Sequence, residues 1–308
     1  MKHNATEFIF APPLVKTLVS VFKNLIYRSI TKKSLNLFIR GGDLISVNPL
    51  TNGIHEPGIT EVVSHFCENG FSDFLIDVGA NIGLTTCQNG NSFSKIICFE
   101  PNPLCVHILK VNTEIAITKS VVEINEYGLG SEMGTYELWV PKHNWGGAFV
   151  VTDQNAYSDD ILASKDGFSN VDKNNYSVKP IDIRSSESIL TEKFADLINL
   201  GLTSGIVKID VEGMEMPVIA GLARALPAVC NIVIVFENWD ANFEFKLVEN
   251  AFIGRSIEMY IFRSAATDDG GAKIWRPLRH ARQKFGKHAL FPIKSVSNTV
   301  GDVILIVK

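Results

Sequence analysis

The sequence predicts an α/β protein built on a doubly wound sheet, and three observations lead to that prediction. Short apolar runs rich in β-branched residues recur along the chain, namely Phe74–Val78, Lys95–Phe99, Val121–Asn125, Ile206–Val211 and Ile232–Glu237. They are apolar almost throughout instead of alternating, which is typical of parallel strands buried on both faces. Helix-compatible segments, notably Leu104–Ile117 and Met214–Leu226, lie between several of them.

The third observation is the position of four acidic residues. Asp77, Glu100, Asp210 and Glu237 all stand at or near the carboxyl end of a predicted strand. In doubly wound sheets, ligands bind outside these strand ends, near the switch in strand order. The sequence therefore predicts one functional site at this edge of the sheet.

Residues 1–52 are interpreted as an N-terminal helical extension that precedes a single domain, residues 53–308. Apolar residues occur there at helical spacing, at Leu14, Leu18, Phe22, Leu25 and Ile26. Packing of this helix on the main domain or on a second subunit is the favoured interpretation. Contact with an anionic membrane surface is the alternative. The start of the chain does not resemble a secretory signal, and no apolar run reaches the ~18 residues of a spanning helix.

A long detour follows the third predicted strand. Gly134–Val140 and Ser177–Ile183 are predicted to form an inserted hairpin. The polar insertion between them, residues 141–176, is either a mobile lid or a disordered segment. Gly301–Val307 is predicted to be the final strand, completing the sheet.

Composition narrows the class of partner and the setting. The formal net charge is −4 and 20% of residues are charged, so we expect no nucleic-acid partner. The cysteines are odd in number, five, and show no metal-ligand spacing. We therefore expect reduced thiols and a cytoplasmic protein. The oligomeric state stays open.

The loop after the first predicted strand, in "FLIDVGANIGLTT", indicates the ligand. The phosphate-binding pattern GxxxxGK[ST] is absent, which excludes a nucleoside triphosphate. A dinucleotide fingerprint requires G-x-G-x-x-G, whereas here Asn81 stands between Gly79 and Gly83. The acid at the strand tip, Asp77, suits a cation. S-adenosylmethionine carries an ammonium and a sulfonium, and glycines allow the backbone to approach it closely.

Glu100 ends the next predicted strand and supports an adenosine cofactor. A carboxylate there can accept hydrogen bonds from both ribose hydroxyls. The alternative is that Glu100 only interacts with the dipole of the next helix. Pro101, Asn102 and Pro103 follow it, with Asn102 as the expected N-cap and Pro103 at the first helical position.

Five motifs in the correct order resemble the FkbM family of S-adenosylmethionine-dependent methyltransferases. They are "HEPGI", "IDVGANIG", "CFEPNP", the Gly128-Leu129-Gly130 turn and "IVKIDVEGMEMPVIAG", which contains the block K-x-D-x-E-G-x-E. The resemblance extends from about Gly53 to Asn238. It implies a class I methyltransferase (Rossmann-like) fold and methylation of a hydroxyl on a sugar, a glycan, a glycolipid or a secondary metabolite. The first fifty residues, the polar insertion and the last sixty lie outside it.

Lys208, Asp210 and Glu212 are the predicted catalytic residues. They alternate, so in an extended strand they share one face, where burial without partners costs several kcal/mol. They therefore either pair or line a water-accessible site, and a purely structural Lys208–Asp210 ion pair is the alternative. A hydroxyl acceptor needs a base or a metal. Asp210 is the first candidate for the base, Glu212 the second, and His143 on the polar insertion the third.

A less favoured hypothesis places Mg²⁺ at the site. Asp210, Glu237 and Asn238 follow neighbouring strands and offer hard oxygen ligands. The arrangement resembles the magnesium site of catechol O-methyltransferases.

The remaining cofactor contacts are assigned by position. Glu56 either reaches over the cofactor pocket, which is favoured, or caps the helix beginning near Ile59. Pro101, Gly128 and Leu129 are expected near the adenosine. A basic cluster, interpreted mainly as a solvated face and alternatively as a phosphate-binding patch, comprises Arg276, Arg279, His280, Arg282, Lys284, Lys287 and His288.

Two rival functions stay open at this point. A nicotinamide-dependent sugar oxidoreductase would share the fold and Glu100, but the fingerprint glycines and a Tyr-x-x-x-Lys pair are missing. The other is a non-catalytic protein that binds S-adenosylmethionine. The favoured acceptor is a small molecule or glycan.

Overall fold

The computed structural model describes residues 14–30, 32, 34–155, 157–158, 161–162, 171–241, 243–264, 288–295 and 299–308. The chain begins its described part with a helix, α1 (Leu14–Ile30), followed by the short helix α2 (Val47–Asn52) and by α3 (Pro57–Glu68). Within the described residues, no helix has the length and apolar character needed to cross a bilayer.

The five predicted strands are all present and form the parallel part of an eight-stranded sheet. They are β1 (Phe74–Val78), β2 (Lys95–Phe99), β3 (Val121–Asn125), β8 (Ser204–Ile209) and β9 (Asn231–Asn238). The prediction extended β8 to Val211. The strand ends at Ile209 instead, because the chain turns sharply through Glu212, whose φ is 47°.

Three further strands complete this sheet on one side. They are β10 (Ile257–Ser264), β11 (His288–Pro292) and β12 (Gly301–Val307), and the strand order is β11-β10-β12-β9-β8-β1-β2-β3. The predicted last strand, β12, lies inside the sheet, antiparallel to both β9 and β10. From β1 the chain adds β2 and β3 on one side, and from β8 it adds β9 on the other side. The strand order therefore switches between β1 and β8. That switch places a crevice at their carboxyl ends.

Helices cover both faces of the sheet. They are α4 (Leu84–Asn89), α5 (Pro103–Ala116), α6 (Ser186–Asn199), α7 (Glu215–Ala225) and α8 (Phe245–Ala251). The two predicted helices are confirmed to within a residue at each end. The Asn102 side chain accepts a hydrogen bond from the Leu104 N–H at 3.2 Å, with Pro103 as first helical residue. The α/β class and the doubly wound arrangement are thus confirmed.

A second, four-stranded sheet is inserted between β3 and β8. Its strands are β4 (Gly128–Gly130), β5 (Gly134–Pro141), β6 (Phe149–Val150) and β7 (Tyr176–Ser185), in the order β4-β7-β5-β6. The pairing of β5 with β7 is antiparallel, as the predicted hairpin requires, and Leu138 lies opposite Lys179. The apolar face of this inserted sheet forms a small hydrophobic cluster that includes Leu138, Val150 and Ile183.

Two further predictions concern the basic cluster near the end of the chain and the cysteines. The basic cluster lies outside the described residues except for His288, which is in β11. All five cysteines are unpaired, and four of them are buried. A buried free thiol behaves as a small apolar core residue.

Candidate active site

The carboxyl ends of β1, β2, β8 and β9 open into one cavity of about 1180 Å³ including its mouth. The predicted site residues that line it are Glu56, Gly79, Asn81, Glu100, Pro101, Gly128, Leu129, Lys208, Asp210, Glu212 and Glu237. Asp77, Gly83 and Asn238 are not among the lining residues.

The loop after β1 forms the floor of the cavity. The N–H groups of Gly79 and Ala80 both donate to the Phe99 carbonyl, at 2.9 and 3.1 Å. Gly79 has a φ of 82°, and a Cβ built there would lie 1.9 Å from the Asp210 carbonyl oxygen. Only glycine therefore lets this loop pass so close to the end of β8. Gly83, with a φ of 84°, lies behind the loop against Leu109, where α4 begins.

Asp77 lies behind the cavity wall and is fully buried. One carboxylate oxygen accepts a hydrogen bond from the Thr86 hydroxyl, and the other has no hydrogen-bond partner among the described residues. Lys208 is its neighbour in register on β8. Burial raises the pKa of Asp77, while Lys208 and the Thr86 hydrogen bond oppose that rise. In this structure the cation beside Asp77 is therefore Lys208.

Glu100 is held rigidly at the end of β2. One carboxylate oxygen accepts from the Asn81 N–H and the other from the Asn102 N–H, each at 2.8 Å. Burial raises the pKa of Glu100 to about 7, although both backbone donors oppose the rise. Each oxygen can still accept a second hydrogen bond, since a carboxylate offers about four lone-pair sites. The side chain lines the cavity, where ligand hydroxyls can reach it.

An apolar wall stands beside Glu100. Pro101, Gly128 and Leu129 form it together with residues of the inserted sheet. A Cβ on Gly128 would lie 3.0 Å from the Ile183 side chain and 3.5 Å from Pro101. Gly128 therefore packs directly against Pro101 and Ile183, and the wall beside Glu100 is apolar.

Lys208 and Asp210 form an ion pair at the opposite wall. Lys208 Nζ lies 2.9 Å from an Asp210 carboxylate oxygen, and both residues line the cavity. Burial disfavours the Lys208 charge, but the carboxylates of Asp210, Asp77 and Glu56 outweigh it and hold the pKa of Lys208 above its ordinary value. The predicted pairing is therefore present within a site that a ligand can reach.

The turn after β8 directs Glu212 toward the cavity. Glu212 is buried, and its φ of 47° is followed by 92° at Gly213. The Gly213 N–H donates to both carboxylate oxygens of Glu215, so Glu215 stabilises the turn at the start of α7. Asn155, from the insertion, donates its side-chain N–H to the Glu212 carbonyl at 3.0 Å. A Cβ on Gly213 would lie 2.0 Å from the Asn155 side-chain oxygen.

Three carboxylates converge at this end of the cavity. Oxygen atoms of Asp210, Glu212 and Glu237 all lie within 4.8 Å of one another. The magnesium hypothesis combined Asp210 and Glu237 with Asn238. The Asn238 amide instead donates to the Asp240 and Thr299 carbonyls, because neighbouring residues of a strand point to opposite faces. The structure therefore brings Glu212 to this group and does not bring Asn238.

His55 lines the same cavity and was not singled out from the sequence. Both its backbone groups are bound by Gln88, which accepts from the His55 N–H at 2.7 Å and donates to its carbonyl at 3.0 Å. Burial, and then Lys208, lower the pKa of His55 to about 4, so its imidazole is neutral at pH 7. The only available signal was its place in "HEPGI". The next residue, Glu56, lines the cavity and makes no capping hydrogen bond with its side chain.

The insertion forms the roof of the cavity over the loop that follows β1. Asn144, Trp145 and Gly146 line it, and a Cβ on Gly146 would lie 3.6 Å from the Asn81 amide nitrogen. Buried Asp43 holds this turn, since it accepts from the Trp145 N–H at 3.1 Å and pairs with Arg40 at 2.8 Å. The Arg40 guanidinium lies over the Trp145 ring, 4.5 Å from its centre. Residues 40–45 thus connect the N-terminal part of the chain to the site.

The sequence match to known families agrees with this architecture. Residues 77–268, more than half of the chain, match the family described as the methyltransferase FkbM domain. The chain belongs to the FkbM methyltransferase family. The resemblance noted in the sequence is thereby confirmed, and so is the class I methyltransferase fold that it implied. The oxidoreductase alternative receives no support from this family.

Two curated relatives of this FkbM family member are named as methyltransferases. "Methyltransferase sdnD" of Sordaria araneosa is 27% identical over 54% of the chain, and the match covers 66% of the relative. "Methyltransferase 1" of Beauveria bassiana is 27% identical over 48% of the chain and covers 58% of the relative. The chain thus spans less than two thirds of the length of either relative.

Solved structures resemble the FkbM family member more distantly. A SAM-dependent methyltransferase from Agrobacterium tumefaciens is 7% identical, with a TM-score of 0.40 over 82% of this chain and 61% of that one. A tRNA (uracil-54, C5)-methyltransferase from Pyrococcus abyssi, solved with S-adenosyl-L-homocysteine, is 10% identical. Its TM-score is 0.37 over 89% of this chain and 42% of that one. The family assignment rests on the sequence match.

Proposed function

We propose that this protein is an S-adenosylmethionine-dependent O-methyltransferase. Its acceptor is a hydroxyl group of a sugar, a glycan or glycolipid, or a secondary metabolite. The observation that carries the proposal is the convergence of Asp210, Glu212 and Glu237 in the same cavity as the glycine loop and Glu100. Carboxylates accept hydrogen bonds and protons from hydroxyl groups, which is what an O-methyltransferase needs beside its methyl donor.

The loop and Glu100 fit the proposed cofactor. The Asn81 side-chain oxygen is buried at the cavity wall and has no hydrogen-bond partner among the described residues. A donor such as an ammonium or a hydroxyl would satisfy it. Glu100 has free acceptor capacity for ribose hydroxyls, and the wall of Pro101, Gly128 and Leu129 suits adenine. When bound, S-adenosylmethionine supplies an electrophilic methyl group on its sulfonium.

The opposite wall would activate and align the acceptor. A sugar hydroxyl is a weak nucleophile at neutral pH, and Asp210 is the proposed base that accepts its proton. Lys208 fixes one Asp210 oxygen at 2.9 Å and so orients the carboxylate. Glu212 and Glu237 would hold neighbouring acceptor hydroxyls, so that the attacking oxygen lies in line with the methyl–sulfur bond. Neutral His55 is a second proton acceptor in the same cavity.

Product analysis of a gene-deletion strain tests the proposal. We expect its polysaccharides, lipids or small metabolites to contain a component one CH₂ group lighter than in the parent. The wild-type gene should restore the heavier, methylated component.

The Asp210→Asn gene should not restore the methylated component, although the purified variant should bind S-adenosylhomocysteine with wild-type affinity in calorimetry. Full restoration by Asp210→Asn would exclude Asp210 as the base. The His55→Gln gene then shows whether the imidazole takes that role. Binding of the cofactor without any mass difference would favour the non-catalytic alternative.

A magnesium ion is the alternative means of activating the acceptor. Asp210, Glu212 and Glu237 are hard oxygen donors, which Mg²⁺ prefers, and they would hold the ion beside the acceptor hydroxyl. Thorough chelation should abolish methyl transfer if the metal takes part, and added Mg²⁺ should restore it. Unchanged activity after chelation would leave proton transfer to the side chains alone. Calorimetry with Mg²⁺ gives an independent measure of binding.

The proposed setting is the cytoplasm. It is supported by the five unpaired cysteines, four of which are buried.

A further inference from the structure

Helix α1 presents an apolar face that the rest of the described chain leaves uncovered. Six of its apolar side chains are between 42% and 64% exposed, namely Leu18, Val19, Val21, Phe22, Leu25 and Ile26. None of them belongs to a hydrophobic cluster of the described residues. Packing of this face on the main domain, one of the interpretations of the sequence, is therefore not observed there. Contiguous exposed apolar surface of this kind marks an interaction site.

The face is continuous along the helix. With 3.6 residues per turn, the six side chains occupy one half of the circumference. Lys23 and Arg28 fall on the two margins of that half, one on each side. A long basic side chain at such a margin can keep its charge in a polar layer while its stem covers apolar surface. This is the arrangement of a helix lying flat in a bilayer interface.

The charge of the segment has one sign. Between Glu7 and Asp43 the chain contains no acidic residue, whereas it contains Lys16, Lys23, Arg28, Lys32, Lys33 and Arg40. The whole chain has a net charge of −4, so this segment is a local reversal. Lys32 follows the helix on an exposed site. Basic residues next to an apolar helix face are attracted to anionic lipid head groups.

A second copy of the chain fits this face less well than a lipid surface does. Two paired α1 helices would bring basic residues together with no carboxylate between them. The helix has 17 residues, hence a length of about 25 Å. The area that one face of such a helix can bury is well below the roughly 800 Å² per partner of a standard protein interface.

We propose that α1 binds in the plane of an anionic membrane surface, with its apolar half in the interface and its basic margins on the lipid head groups. The proposed helix axis is parallel to the membrane plane, because its apolar side chains lie along one half of the helix circumference. This inference is independent of the proposed reaction, since none of the residues of α1 lines the cavity.

Vesicle flotation with the full-length protein tests the proposal. The probes are vesicles of phosphatidylcholine alone and vesicles that also contain phosphatidylglycerol. We expect about tenfold or tighter binding to the anionic vesicles, because several basic residues contribute. Raised salt should weaken this binding.

Two sets of variants separate the apolar and the electrostatic contributions. Phe22→Asp/Leu25→Asp should abolish flotation, and Lys23→Glu/Arg28→Glu should remove the preference for anionic lipid. The matched control is Ile253→Asp, which changes a side chain that is 82% exposed elsewhere and should float like wild type. Cooperative unfolding of each variant verifies its fold, and the charge variants keep the test decisive if the apolar ones do not fold.

Three outcomes would overturn the proposal. They are no flotation of the wild-type protein, equal binding to both vesicle types, and flotation that Phe22→Asp/Leu25→Asp leaves unchanged. A dimer in light scattering that these substitutions dissociate, without vesicle binding, would assign the face to a second copy.

Discussion

At the scale of single residues, Gly79 has the most demanding position in the site. Its φ is 82°, and a Cβ there would lie 1.9 Å from the Asp210 carbonyl. The matched control is Gly70, whose φ is 91° and whose Cβ would meet open space. We expect Gly70→Ala to cost about 1 kcal/mol of unfolding free energy from the backbone alone. Gly79→Ala adds a steric conflict and should cost about 3 kcal/mol or more, measured by urea denaturation. Equal losses would show that the contact with β8 is unimportant.

Glu100 makes stability depend on pH in a defined direction. Its pKa rises from 4.5 to about 7 in the folded protein, so the folded state holds this proton more tightly than the unfolded chain does. The contribution of Glu100 to stability is therefore greatest below pH 4.5. It decreases by about 3 kcal/mol as the pH rises through 7. The difference in unfolding free energy between Glu100→Gln and wild type should grow in favour of the variant from pH 5 to pH 8. Parallel pH profiles would contradict the assignment.

Some residues of the site could be predicted from the local sequence, and others could not. Glu100 and Asp210 could be predicted because strand ends of one polarity meet at one edge of the sheet. His55 and Asn155 could not, since their contacts join distant parts of the chain. Asn155 binds the carbonyl of a residue 57 positions away, and Gln88 binds the His55 backbone across 33 positions.

At the scale of elements, the inserted sheet is tied to the turn after β8 through Asn155. Its side chain donates to the Val150 and Glu212 carbonyls and accepts from the Tyr157 N–H. Asn155→Ala should lower stability by about 1–3 kcal/mol and raise KM for the acceptor, because the Glu212 turn loses its support.

Asn91 provides the matched control for that substitution. Its side chain also makes three hydrogen bonds to backbone, to Ala116, Thr118 and Lys119, but on an exposed turn away from the cavity. Asn91→Ala should lower stability without changing KM. If both variants changed KM alike, the effect of Asn155 would be one of general stability.

The elements that escaped prediction share a physical cause. β10 lies next to the edge strand β11 and contains Glu258 and Arg263. It is therefore not apolar throughout, in contrast to the central strands. A search for continuous apolar runs finds strands buried on both faces and passes over such strands. The detour that was expected to be a lid or a disordered segment includes, in its described part, β6 and the turn at Trp145–Gly147.

At the scale of the whole molecule, cofactor binding should stabilise the fold, because the cavity joins the carboxyl edge of the main sheet, the inserted sheet and the N-terminal segment. A ligand at 100 times its Kd adds about 2.7 kcal/mol. For a chain of this size, we expect S-adenosylhomocysteine to raise Tm by about 5 °C. The control ligand is NAD, which should give no shift. An equal shift with NAD, or none with S-adenosylhomocysteine, would contradict the assigned cofactor.

The sequence by itself determined the α/β class, the five parallel strands, the family and the edge of the sheet at which the candidate site lies. These follow from local patterns, since continuous apolar runs predict buried strands and the motifs adjoin their ends. Tertiary structure alone decided that Asp77 lies beside Lys208 and outside the cavity lining, that Glu212 replaces Asn238 beside Asp210, and that Trp145 and Gly146 cover the loop after β1. Those arrangements depend on turns with positive φ and on contacts between residues far apart in the chain, which no local pattern encodes.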